Sequence, residues 1–236
     1  MANSAQSQPL AEIYRRLLER YGPQALPTLP PWERLVGLVL GFSASDSKIA
    51  RALDPLRDAD LLSPEALVEL PLAELVELLH PLSAAEPKAA RLQRVMRLVC
   101  ESYDGSLAAL IAGDRHALRE RLRAINGLGR ETVDAILLQV GELPQFPVNL
   151  STHRVMKRHA WLDFETDEET LQDYFHAGLP PLAGEDPMPA DEATLYNELY
   201  LLLDRVGREH CRKQPRCDDC PLAPLLPAQG PLEPDW

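Results

Sequence analysis

The feature that most constrains this chain is the spacing of its apolar residues, which recur three and four apart almost from end to end. Leu10, Ile13, Tyr14, Leu17 and Leu18 open the pattern. That spacing lays one apolar stripe along a helix, whereas the alternation of β-branched residues that marks strands is nearly absent. The sequence therefore predicts an all-α protein, with helices at roughly 8–21, 31–42, 46–56, 64–69, 72–80, 86–103, 114–124, 130–141, 150–160, 167–177 and 190–209. Start signals agree with several of these: Pro30-Pro31 before "WERLVGLVL", Ser63-Pro64 before "EALVEL" and Thr166 before "DEETLQDYF". The longest irregular linker, "GLPPLAGEDPMPAD" at 178–191, lets the last helix and the tail fold back onto the first helix. This predicts two helical lobes.

At 236 residues and 45% hydrophobic, the chain can bury a substantial core. Charges or glycines break its apolar runs well before membrane-spanning length, and "MANSAQSQPL" has no leader pattern. A cytoplasmic monomer without a membrane partner is expected. A net charge of −12 opposes indiscriminate binding to nucleic acid. That charge is unevenly spread, however. Between Arg115 and Arg158 eight Lys/Arg face four acids, a net of +4, which leaves −16 for the rest. A basic middle in an acidic chain is either chance or an electrostatic footprint.

Within the basic segment lies "INGLGRET", where Gly127, Leu128 and Gly129 join two helical patterns and Glu131 sits just inside the second. Glycines there permit positive φ and close approach by another backbone. The amides of Leu128 to Glu131 then point outward at the positive end of a helix, an anion site that needs no lysine. An ordinary helical hairpin with a glycine cap has the same sequence.

The tail "HCRKQPRCDDCPL" sets Cys211, Cys217 and Cys220 close together. In a reducing compartment such clustering favours metal or iron–sulfur ligation over disulfides. A four-donor site needs one more ligand, and His210, Asp218, Asp219, Cys100 or a water are the candidates. Cys100 lies at a helical position typical of a core.

Taken together, "INGLGRETVDAILL", "FPVNLSTHRV" and "YNELYLLLDRVGREHCRKQPRCDDCPL" resemble the endonuclease III-like helix-hairpin-helix (HhH-GPD) DNA glycosylases, closest to the monofunctional branch related to bacterial 3-methyladenine glycosylases. The resemblance runs from about residue 13 to Leu222. It implies two helical lobes with a DNA groove between them: 22–130 as a helical-barrel lobe ending in the hairpin, 1–21 with 131–222 as the second lobe carrying a [4Fe–4S] loop, and 223–236 as a flexible tail. It further implies a partner, double-stranded DNA with damaged or distorted bases, gripped by Gly127, Leu128, Gly129, Arg130, Arg154 and Lys157 while a base is flipped out. Glu131 stands at the position of the bifunctional enzymes' Schiff-base lysine and cannot form that adduct.

Three positions depart from the family. Its carboxylate position is Asn149, which supplies hydrogen bonds but no charge. Phe42 and Ser43 stand where a polar residue fills the gap left by the flipped base. The fourth cluster cysteine is Leu226, so a [4Fe–4S] cluster would have three cysteines and an unidentified fourth ligand, with zinc or no metal as alternatives. Glu131 or Asp134 is the candidate to replace the lost carboxylate. Three readings follow: a weakly active glycosylase, an inactive binder of damaged DNA or repair regulator, and a helical protein–protein scaffold.

Overall fold

The computed structural model describes residues 3–24, 29–41, 46–80 and 82–232. Phe42 and Ser43 lie outside these. Among the described residues the structure is all-α, with twelve α-helices, two short 3-10 turns and no strand. Among the described residues no helix is long and apolar enough to cross a membrane.

The chain divides into two compact units, one formed by residues 27–143 and the other by 1–26 with 144–236. The middle unit holds α2 (Pro31–Val39), α3 (Asp46–Asp58), α4 (Pro64–Glu69), α5 (Leu72–Leu78), α6 (Ala85–Tyr103), α7 (Leu107–Ile111), α8 (Arg115–Arg123) and α9 (Arg130–Gln139). Its 19-residue α6 is the axis, packing on α2, α4, α5 and α7. Leu92, Val95, Met96 and Val99 form its fully buried stripe, at the three-and-four spacing that the sequence shows. The sequence reading parts the two hairpin helices at residue 130. In the structure α9 stays with the middle unit, because Val133, Ile136 and Leu137 bury themselves in that core and α9 packs on α2 and α8.

The terminal unit holds α1 (Asn3–Tyr21), α10 (Leu150–Arg158), α11 (Glu168–Gly178) and α12 (Glu192–Glu209). Here α1 packs on α11 and α12, and α10 on α12. An aromatic cluster fills the centre: Phe146 stacks on Phe175 at 3.8 Å, with Tyr196 and Tyr200 edge-on at 6.1 and 6.4 Å. The Tyr14 hydroxyl donates to Glu198, whose other oxygen accepts the Gln24 amide at 2.8 Å. Side-chain caps begin several helices: Ser63, Ser106, Asp114, Asn149, Asp167 and Asp191 each accept the amide three residues on. Each such cap contributes about 1 kcal/mol.

Candidate nucleic-acid interface

In the middle unit, α8 ends at Arg123, the chain turns through residues 124–129, and α9 begins. Only one glycine is required by the backbone. Gly127 has φ +87°, the left-handed region, whereas Gly129 has φ −73°. The expectation that both glycines supply positive φ is thus corrected at Gly129. The Leu128 amide is also not outward, since it donates to Ile125 O at 3.1 Å while its side chain is buried. That leaves the first turn of α9, whose amides have no acceptor within the helix. Gly129, as N-cap, offers no side chain to cover them. A Cβ at Gly129 would meet nothing within 4 Å.

Two arginines of α6 hold the turn from behind, Arg91 donating to Gly127 O and Arg94 to Asn126 O, both at 3.0 Å. Neither arginine stood out in the sequence, because they lie 36 and 32 residues from their partners and bind backbone rather than a recognisable side chain. Lys88, one turn before Arg91, has its pKa lowered by burial and by the Arg91 charge. Three cations therefore sit beside the hairpin. Arg130 is exposed at the start of α9.

Glu131 is half-buried and lines a small pocket with Leu38, Gly41, Thr132 and Ala135. Asp134, the other substitute carboxylate considered, is committed elsewhere. It is 1% exposed and gripped by Arg119 through two bonds of 2.7 and 3.1 Å.

In the terminal unit, Asn149 caps α10: its Oδ1 accepts the Thr152 amide at 2.8 Å and the Thr152 hydroxyl at 3.1 Å. Its Nδ2 donates to Asp204 Oδ1 at 3.2 Å, and Ser151 Oγ lies 3.5 Å from the same oxygen. Arg208, a turn further along α12, holds Asp204 Oδ2 at 2.9 Å. Burial pushes the Asp204 carboxyl up, against the lowering by Arg208, Ser151 and Asn149. Arg154 is half-buried. Lys157, expected on phosphate, is instead buried with Nζ on Phe164 O, so its ammonium is turned away from solvent.

Cys211, Cys217 and Cys220 line one pocket, and so does Leu226. Among the described residues no three His, Cys, Asp or Glu side chains stand close enough together to share a metal ion. The donor set as arranged does not fit a four-thiolate cluster. The loop is held by protein groups. Arg158, fully buried at the end of α10, donates to Arg212 O, to Lys213 O at 2.9 Å and to Cys211 Sγ at 3.4 Å. The next residue, His159, reaches Leu222 O at 3.2 Å.

A profile of the HhH-GPD superfamily of base excision DNA repair proteins matches residues 4–177. The chain belongs to the HhH-GPD superfamily. Among relatives, a putative DNA repair glycosylase of Methanocaldococcus jannaschii is 29% identical over 214 residues, covering 89% of this chain and 92% of its own. Endonuclease III of Thermotoga maritima is 24% identical over 212 residues, 89% of each chain. Among solved structures, a trapped endonuclease III–DNA covalent intermediate superposes with a TM-score of 0.72 at 18% identity, over 93% of this chain and 94% of that one. Helicobacter pylori 3-methyladenine DNA glycosylase bound to 1,N6-ethenoadenine gives 0.67 at 20% identity, over 86% and 97%. At these identities the likeness shows the HhH-GPD fold. The hairpin at 124–129 and the cap at Asn149 are therefore local features of an HhH-GPD chain, and Asn149 is a neutral one.

Proposed function

We propose that this HhH-GPD protein binds double-stranded DNA at damaged or distorted sites through the 127–130 hairpin, cleaving the N-glycosidic bond slowly or not at all and without a lyase step. Gly129 carries the DNA part of this reading. Among the described residues nothing accounts for a glycine there: its φ suits any residue and a side chain would have open space. A phosphate approaching the first turn of α9 does account for it, because a side chain at the N-cap would stand in its way. The missing lyase step and the slow chemistry follow from one position each. Glu131 cannot form a Schiff base, and an amide at 149 stabilises a cationic sugar less than a carboxylate, by roughly 10²- to 10⁴-fold in rate.

Gly129→Val tests the reading on an abasic-site duplex. Affinity should fall about tenfold, the loss of one charge-assisted phosphate contact, while the melting temperature stays close to wild type. Binding should weaken steeply with salt, by about 0.9 logarithmic units per phosphate contact for each tenfold rise. Unchanged affinity in the folded variant removes the hairpin from the interface, and salt-independent or absent binding favours a protein–protein scaffold. Lesion-bearing oligonucleotides followed by alkali separate a slow enzyme from an inactive binder.

The cysteine loop enters this proposal as a three-thiolate site at most. A [4Fe–4S] cluster on Cys211, Cys217 and Cys220 would leave one iron for a non-cysteine ligand, since Leu226 stands fourth. It would also require the thiols to draw closer together. Iron and sulfide content of anaerobically prepared protein checks this, about four of each per chain being expected. Stoichiometric zinc, or no metal, removes the cluster and leaves the DNA assignment untouched.

A further inference from the structure

The cap at Asn149 fixes which way its amide faces. Because Oδ1 takes both the amide and the hydroxyl of Thr152, Nδ2 is turned to Asp204. A side chain at the family's carboxylate position is thus joined, through one hydrogen bond, to a carboxylate on another helix. Asp204 is 8% exposed, and its counter-ion Arg208 has half its side chain in water. Solvent screens an exposed cation, so the pair does not repay burial of the acid, which is why the Asp204 pKa rises. A buried charge held at a cost to folding points to use of that charge.

We propose that Asn149 and Asp204 divide the work of one carboxylate: Asn149 keeps the helix cap and the orientation, and Asp204 supplies the negative charge that favours a cationic, oxocarbenium-like sugar. This rests on the glycosylase reading above. Asp204 acts through Asn149 and is a positioning residue. Its charge stands one amide further back than a carboxylate at 149 would, so the site retains part of the electrostatic pull.

The test compares two abasic-site duplexes that differ in one charge. One carries a pyrrolidine ring, cationic at neutral pH, and the other a neutral tetrahydrofuran ring. Wild type should prefer the pyrrolidine duplex by about tenfold or more, as sites complementary to a cationic transition state do. Asp204→Asn should bring the ratio close to one while tetrahydrofuran affinity stays within about twofold. Arg208→Gln, at an exposed position, removes the cation that holds the Asp204 carboxyl down, so the acid shifts further toward its neutral form and the ratio should fall toward one, as in Asp204→Asn. A wild-type ratio near one, or a ratio unchanged by both variants, overturns the inference while tetrahydrofuran binding still upholds the DNA reading. Failure to bind either duplex overturns the DNA reading and this inference with it. Should Asp204→Asn not fold, Arg208→Gln decides alone.

Discussion

Asn149→Asp by itself will lower the melting temperature, and combining it with Asp204→Asn will restore it. The new oxygen would replace the amide nitrogen that now lies 3.2 Å from Asp204 Oδ1. Two buried carboxylates at that distance do not both stay ionised; they share a proton and titrate as a pair. The expected cost at neutral pH is about 2–3 kcal/mol, or about 5–10 °C in a chain of this size. The sign with pH follows from proton binding. The raised pair value means the folded variant holds a proton that the unfolded chain releases, so its stability is full in acid and falls as pH rises through that value. In wild type the raised Asp204 carboxyl acts in the same direction, and Asp204→Asn should flatten the profile. Thermal melts of the four proteins across pH 4–8 read this directly. If Asn149→Asp is as stable as wild type at neutral pH, the two side chains are not coupled. The exchanged double variant, rather than the single one, is the protein in which to look for faster N-glycosidic cleavage, within the roughly 10²- to 10⁴-fold range that a carboxylate supplies.

Gly207→Ala should be more damaging still. A Cβ there would overlap Ser151 Cβ and lie 2.5 Å from its Oγ and 3.0 Å from its backbone Cα. Backbone cannot rotate away, so α10 and α12 must separate. Overpacking of this kind costs about 3 kcal/mol, a fall of about 6–12 °C. Ser151→Gly removes two of the three clashing atoms and should recover much of the loss. If Gly207→Ala alone melts like wild type, the close crossing does not exist. The same separation would draw Asp204 away from Asn149, so the preference for a cationic abasic analogue should drop together with stability.

Most of the helices were legible because a stripe of leucines at helical spacing has few other uses. The five-residue α7 was missed, since "LAALI" is too short to show a period even with Ser106 capping it. The hairpin was readable at Gly127, where a local backbone demand decides, whereas Asn149 stood out only through the family resemblance and its role as a helix cap came from the structure. What was not readable depends on long-range burial. Lys157 looked like one more cation on a basic face, yet its stem is buried and its ammonium bonds Phe164 O. Asp204 looked like one acid among many on an amphipathic helix. It became the partner of Asn149 only because Gly207, three residues on, lets α10 approach that face of α12. Arg91 and Arg94 belong to the same class, their targets being carbonyls that carry no side-chain signature.

The order in which the chain is made bears on when each unit becomes able to fold. Residues 27–143 hold a complete core with local helix pairings, so this unit has every partner it needs once residue 143 has left the ribosome. The terminal unit does not. Its first helix is synthesised before any of its neighbours, and Tyr14 waits for Glu198, 184 residues later. Closing that span costs entropy that grows only as the logarithm of its length. The delay is the greater burden, because Leu10, Ile13 and Leu17 remain without a core throughout synthesis of the middle unit. During synthesis Asn149 can meet Asp204 only once α12 has emerged, and a nascent chain stalled before α12 would carry the hairpin sequence with no such pair.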